Sequence, residues 1–243
     1  MKSEILKITE NRALTKDIYK MSLFGAEKPL PGNFLELTVP GCFLNRPFGV
    51  AGYSDGTTEI YYRVLGEGTK KMTEMPVGTE VHALTGLGNS FDVTGVTKPL
   101  IVSGGLGFAP LKYLAECFEE RGISPVFVAG FKSSADVVRF GGVFERLPVA
   151  VATDDGSSGY HGNVVDYVKE HAVEYDRYYA CGPMPMLKGM AAAFKGGQLS
   201  LEARMGCGFG ACMGCSIQTV SGPKRVCKEG PVFYSEEVIF GDR

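Results

Sequence analysis

The chain has 243 residues, 44% of them hydrophobic and 21% charged, with a formal net charge of −2. That length and balance suit a globular protein of two compact domains, or of one large domain with an appendage. The small net charge gives no reason to expect nucleic acid or an anionic membrane as a partner. No window approaches the eighteen uninterrupted apolar residues of a membrane helix, and Met1-Lys-Ser-Glu-Ile-Leu-Lys7 has no apolar signal core. A cytoplasmic location is expected, where thiols stay reduced and clustered cysteines mean metal.

From Lys2 to about Val96 the pattern is β. Alternating runs at Glu4–Thr9, Ile18–Phe24, Phe34–Val39, Phe48–Tyr53, Glu59–Leu65 and Glu80–Leu84 are separated by breakers such as Pro29-Leu-Pro-Gly32, Pro40-Gly41, Ser54-Asp-Gly56 and Pro76-Val-Gly78. Six strands at this spacing predict a closed antiparallel barrel, interrupted by one short helix over Gly68–Met75. Near Gly95–Lys98 the character changes. Apolar strands at Pro99–Ser103, Val126–Ala129, Val149–Ala152 and Tyr178–Cys181 alternate with helices at Leu111–Arg121, Val164–His171 and Pro183–Phe194. That alternation predicts a parallel sheet with helices on its faces. Lys195-Gly-Gly-Gln198 then leads into a third segment. The expected organisation is a β-barrel over 1–97, an α/β domain over 98–197 and a cysteine-rich segment over 198–243.

Four motifs lie in these elements. Arg46-Pro47-Phe48-Gly49 joins a cation fit to pair with a pyrophosphate and an aromatic fit to lie against a flat ring. Tyr61-Tyr62-Arg63 is followed by Gly68-Thr69, whose short helix offers amides and a hydroxyl to phosphate. Gly104-Gly105-Leu106-Gly107 sits between a strand and a helix, where backbone approaches phosphate, although it departs from the strict G-x-G-x-x-G spacing. Cys181-Gly182-Pro183 closes the fourth strand at the carboxyl edge, where open α/β sheets bind ligands. Taken singly, each also fits an ordinary turn, cap or buried thiol.

The C-terminal segment is more specific. Cys207-Gly-Phe-Gly-Ala-Cys212-Met-Gly-Cys215 has C-x4-C-x2-C spacing, and Cys227 follows in Lys224-Arg-Val-Cys227 after the turn at Ser221-Gly-Pro223. Four thiolates so spaced match a plant-type [2Fe-2S] site. Gly206, Gly208, Gly210 and Gly214 let the backbone curl round a wide cluster and aim amides at its sulfurs. A four-cysteine zinc site would show two C-x2-C pairs, and only one is present. Disulfides would suit a secreted chain, and nothing here marks secretion. Cys42, Cys117 and Cys181 are scattered and read as small buried hydrophobes.

The order of these features resembles the ferredoxin–NADP reductase superfamily: barrel with Arg-Pro-aromatic, Tyr-x-Arg and Gly-Thr, Gly-Gly-x-Gly, then Cys-Gly-Pro. That resemblance implies FAD on the barrel, held by Arg46, Pro47, Phe48, Gly49, Tyr61, Tyr62, Arg63, Gly68 and Thr69. It implies a nicotinamide dinucleotide on the α/β domain at Gly104, Gly105, Gly107, Cys181, Gly182 and Pro183. Where this chain has Gly49 the superfamily usually has Ser or Thr. The segment from Glu202 through Cys215, Val226–Phe233 and Thr153-Asp-Asp-Gly-Ser-Ser-Gly159 with Gly162 resemble the electron-transfer subunits of dihydroorotate dehydrogenase B. That closer resemblance implies a partner subunit carrying FMN, two of each chain in a heterotetramer, and flow of electrons through [2Fe-2S] and FAD to NAD+ in pyrimidine biosynthesis. It also implies cluster ligation by Cys207, Cys212, Cys215 and Cys227.

His82, His161 and His171 are isolated in the sequence and form no acid–base constellation, so chemistry on an organic substrate is expected on the partner chain. The cluster ligands are expected beside the interface with it. Lys132, in Gly130-Phe-Lys-Ser-Ser134, leaves room for a 2′-phosphate, although the resemblance implies NAD. Two other readings remain: a flavin and iron–sulfur subunit of a different NAD(P)H-oxidising complex, and a non-catalytic iron–sulfur module.

Overall fold

The computed structural model describes residues 1–139 and 147–241, so the last two residues assigned to the C-terminal segment lie outside the described set. The N-terminal part is a seven-stranded antiparallel sheet: β1 (Lys2–Ala13), β2 (Ile18–Phe24), β3 (Phe34–Leu37), β4 (Arg46–Gly49), β5 (Gly52–Ser54), β6 (Thr57–Arg63) and β7 (Glu80–Leu87). Alternation fixes which side faces in. In β7, Val81, Ala83, Thr85 and Leu87 are buried, while Glu80, His82 and Gly86 are exposed. The inward residues Leu6, Ile8, Met21, Leu23, Leu35, Leu37, Ile60 and Tyr62 share one core. Helix α1 (Glu67–Thr73) leads from β6 towards β7.

Strand order is β4-β3-β7-β1-β2-β6-β5, so the sheet's two edges are strands adjacent in sequence. The single strand expected over Phe48–Tyr53 is therefore two. Val50 donates its amide to Asn33 O at 3.1 Å and Ala51 donates to Glu59 O at 2.8 Å, so the chain leaves one edge and joins the other between these residues. The closed barrel expected is thus a half-barrel, its two edges joined by the Val50-Ala51 crossover and not by a ladder between β4 and β5. The apolar run reads through without a break, because nothing local marks the change of hydrogen-bonding partner.

The second sheet contains β8 (Pro99–Gly104), β9 (Val126–Phe131), β10 (Val149–Thr153), β11 (Tyr160–His161), β12 (Arg177–Cys181), β13 (Gly197–Ser200) and β16 (Val232–Tyr234) in the order β11-β10-β9-β8-β12-β13-β16. All pair in parallel except β16, which runs antiparallel to β13. Helix α2 (Phe108–Glu119) covers one face, with α3 (Ser134–Arg139) following β9. Helices α4 (Val164–Glu170) and α5 (Met184–Ala193) cover the other. The order reverses between β8 and β12, which opens a crevice at their carboxyl ends.

The C-terminal segment adds a hairpin, β14 (Ser216–Thr219) and β15 (Gly222–Arg225), the latter containing Pro223. Lys195-Gly-Gly-Gln198, expected to be a boundary, instead runs into β13, and β16 then returns beside it. Both were missed because four- and three-residue strands carry too little periodicity to register. Cys215, Val226, Cys227 and Phe233 share a core with Leu100, Val102, Tyr178 and Leu199 of the second sheet and with Phe34 and Leu87 of the barrel. Asn89, just past β7, fixes this arrangement. Its side chain donates to Glu229 O (2.9 Å) and Val232 O (2.7 Å) and accepts from Val232 N (2.9 Å). No helix among the described residues is long and apolar enough to cross a membrane.

Candidate functional site

The four clustered cysteines come together beside β3. Ala211 and Cys212 donate their amides to Cys207 Sγ at 3.1 and 3.4 Å, Gly214 donates to Cys212 Sγ at 3.5 Å, and Cys227 donates to Cys215 Sγ at 3.4 Å. Burial raises the Cys207 thiol, but the amides of Cys212, Phe209 and Ala211 outweigh it and bring it down to about 6. Burial and the neighbouring Cys215 push Cys227 up to about 12. The thiols thus form two adjacent pairs, Cys207 with Cys212 and Cys215 with Cys227. Two pairs with amides turned to sulfur suit a two-iron cluster better than zinc. Cys215 and Cys227 are buried, whereas Cys212 is exposed, as are Phe209 and Met213.

The loop is seated on the barrel. Gly208, at φ +71, lies against the carboxylate of Glu36, closer than a Cβ could approach. Glu36 projects from the outer face of β3, is 1% exposed, and has one carboxylate oxygen without a hydrogen-bond partner among the described residues. Its burial raises its pKa, opposed by a hydrogen bond from Asn45. The sequence offered only a hint of this contact: a Glu in an otherwise apolar strand.

On the barrel, Arg46, Pro47, Phe48 and Gly49 form β4 and are all half-buried. The Arg46 guanidinium lies over the first turn of α1, where a Cβ on Gly68 would come within 2.7 Å of its Cζ. A cation and helix-start amides so placed fit a pyrophosphate. Gly49 lies against α2, where a Cβ would meet Pro110 at 3.4 Å, an ordinary contact that leaves room for a side chain. Two residues depart from expectation. Tyr62 is turned into the barrel core, 1% exposed, stacked on Tyr19 at 5.5 Å and bonded through its hydroxyl to Asn11 at 2.9 Å. It has no ring face left for a ligand, because alternation along β6 puts Tyr61 on the opposite side. The Thr69 hydroxyl accepts from Leu65 N (3.0 Å) and Gly66 N (3.2 Å), closing its own turn rather than facing outward. Arg63 lies 3.4 Å from Asp17 at the end of β6.

At the crevice, Gly104, Gly105 and Gly107 meet Cys181, Gly182 and Pro183. A Cβ on Gly104 would fall 2.6 Å from Pro183 Cδ, and one on Gly107 would fall 2.8 Å from Gly182 N. Gly105 takes φ +53. Gly104 and Gly107 are therefore glycines because the Cys181–Pro183 loop packs against them, while a Cβ on Gly105 would meet nothing within 4 Å. Cys181 is buried, which raises its thiol pKa, and a hydrogen bond with Ser200 opposes this. Lys132 lies exposed in the loop after β9. The three histidines stay apart, on β7, at β11 and after α4.

Comparison with known proteins places this arrangement. Residues 202–239 match the iron–sulfur cluster binding domain of dihydroorotate dehydrogenase B. A protein of Caldanaerobacter subterraneus subsp. tengcongensis is 39% identical over 246 aligned residues, covering 96% of this chain and 97% of its own. One from Fusobacterium nucleatum subsp. nucleatum is 37% identical, covering 98% and 99%. Both are named dihydroorotate dehydrogenase B (NAD(+)), electron transfer subunit. Among solved structures, an NADH-dependent reduced ferredoxin–NADP oxidoreductase chain superposes with a TM-score of 0.86 at 24% identity, over 97% of this chain and 90% of that one. Phthalate dioxygenase reductase superposes at 0.64 and 18%, over 79% and 64%. At these identities the structural likeness establishes the fold.

Proposed function

The chain belongs to the family of dihydroorotate dehydrogenase B electron-transfer subunits, and from that membership we propose that it passes electrons between the FMN of a partner dihydroorotate dehydrogenase subunit and NAD+, through a [2Fe-2S] cluster and FAD, in pyrimidine (UMP) biosynthesis. It is an oxidoreductase subunit. The observation that carries the reading is the union of four paired thiols, the Arg46 strand and the glycine-lined crevice around shared cores.

Bound FAD and cluster supply the exchange between a two-electron hydride and single electrons. Cys207, Cys212, Cys215 and Cys227 would hold the cluster, with their amide donors stabilising its negative charge. Arg46 and the amides at the start of α1 would hold the flavin pyrophosphate, with Phe48 against the flat ring. Gly104, Gly105 and Gly107 would admit the NAD pyrophosphate, with Cys181, Gly182 and Pro183 closing the crevice. Exposed Phe209, Cys212 and Met213 support an exit for electrons on that face, towards the partner. We place the complex in the cytoplasm as two copies of each chain.

Co-expression with FMN-containing dihydroorotate dehydrogenase subunits tests the proposal. Co-purification with flavin and cluster absorbance and orotate-linked formation of NADH is expected. A yellow-brown subunit that reduces acceptors from NADH yet never joins such a partner would move the chain to another complex. A red-brown subunit that carries the cluster and no flavin would leave only an iron–sulfur module.

A further inference from the structure

The barrel and the α/β layer meet along a seam that carries a chain of alternating charges: Arg12, Glu10, Lys20, Glu59, Lys112 and Glu116. Lys20 Nζ lies 3.0 Å from Glu10 and 2.7 Å from Glu59. Lys112 Nζ, on α2, lies 3.5 Å from Glu59 across the seam and 2.6 Å from Glu116 on its own helix. Lys112 is 8% exposed, and its ammonium also donates to the carbonyl of Ala51 at 3.3 Å. A buried ammonium is costly unless it is paired, and hydrophobic replacements of such networks often fold as well or better. Stability alone is therefore a weak reason for Lys112 to be there.

Its acceptor points to another reason. Ala51 belongs to the Val50-Ala51 crossover that continues the strand Arg46–Gly49. Lys112 lies about one turn into α2, whose first residue follows the Gly104–Gly107 loop directly. Ala51, Tyr61 and Ala109 form a small buried cluster at the same place, with Leu14 and Leu106 against it. A Cβ on Gly52 would come within 3.2 Å of Lys112 Nζ and 3.1 Å of Glu59 Oε2. The crossover and the helix thus touch through small residues, and one charged bond joins them.

We propose that Lys112 is a positioning residue for hydride transfer, tying the flavin-binding crossover to the nucleotide-binding helix and so setting the separation of the two rings. This rests on the functional reading above. The reaction moves a hydride, two electrons with one proton, so that the N–H bond of one ring breaks as the C–H bond of the other forms, or the reverse. Its rate depends on reacting atoms about 3–3.5 Å apart, and misplacement by about 1 Å costs roughly a hundredfold. Tyr113, next on α2, donates to Pro29 O at 2.8 Å and packs in the barrel core, so the helix stays docked when Lys112 is replaced.

The test uses the complex with its catalytic partner. In Lys112→Met, FAD content, iron content and NAD+ affinity should stay near wild type. Single-turnover reduction by NADH should slow by about tenfold to a hundredfold. The long-wavelength charge-transfer absorbance of reduced flavin stacked on NAD+ should weaken in parallel. Lys112→Arg should restore most of that band, and Tyr113→Phe should leave it intact. Gly52→Ala keeps every charge and crowds the ammonium, and should give a smaller loss in the same direction. Wild-type rate and band in Lys112→Met overturn the proposal. Should that variant fail to assemble, an unaltered Gly52→Ala overturns it instead. If NADH does not reduce the wild-type flavin at all, the functional reading itself is what fails.

Discussion

Replacing Gly208 by Ala should unseat the cluster loop without touching a cysteine. Two terms add. A non-glycine residue held at φ +71 costs about 1–2 kcal/mol. The new Cβ would also overlap the Glu36 carboxylate, where ordinary contact begins at 3.4 Å. Relieving an overlap of that size in a packed seam costs about 1–3 kcal/mol. The sum, about 2–5 kcal/mol, lowers the melting temperature by roughly 4–20 °C for a protein of this size. It falls on the loop, so iron per protein and cluster absorbance should drop while FAD stays bound. Glu36→Ala separates the terms. It removes the obstacle and an unpaired buried oxygen, relief that offsets the lost packing, and alone should be close to neutral. Combined with Gly208→Ala it should recover about 1–3 kcal/mol and much of the iron, leaving only the backbone cost. Iron assay, visible absorbance and thermal unfolding of the four proteins complete the cycle. Full iron and an unchanged melting temperature in Gly208→Ala, or a double variant no better than the single one, would refute the contact.

Ser at position 207, 212, 215 or 227 should abolish cluster absorbance and leave FAD in place. After iron is chelated, alkylation near neutral pH should label Cys207, whose thiol lies at about 6, before Cys227 at about 12, as mass spectrometry would show. Arg46→Met removes a charge-assisted contact of about 1.5–3 kcal/mol, so the FAD dissociation constant should rise about tenfold to a hundredfold, measured by flavin fluorescence on release. Asp92 should contribute to acid sensitivity. Its carboxyl is brought from 3.8 to about 2, first by the Thr94 amide and hydroxyl, then by Tyr234 and Arg177, with burial opposing. Because the folded value is the lower one, its stabilisation is complete above about pH 4 and is lost as pH falls towards 2. Asp92→Asn should flatten that part of the melting curve without abolishing it, because Glu229, held at about 2 chiefly by Arg225, responds in the same window.

The cysteine spacing, the loop glycines, the β pattern before residue 97 and the strand–helix alternation after it could all be read in order along the chain. Each is a local signal: a ligand interval, a permitted φ, a period of two or of nearly four. Such signals are set by residues a few positions apart, and so the sequence alone determined the two sheet types and placed the four thiols in one segment. Tertiary structure decided everything that depends on which distant backbone or side chain lies opposite. The Val50-Ala51 crossover joins the two edges of the sheet only because Asn33, just before β3, and Glu59 of β6 are there to receive its amides. Tyr61 and Tyr62 look alike until β6 finds its neighbours and one ring turns inward. β13 and β16, too short to show a period, become strands by pairing with β12 and with each other. Glu36 beneath Gly208, Asn89 on the cluster segment and Lys112 across the seam join residues 53 to 172 positions apart. Only packing, which buries these polar groups and must then find partners for them, brings them into contact.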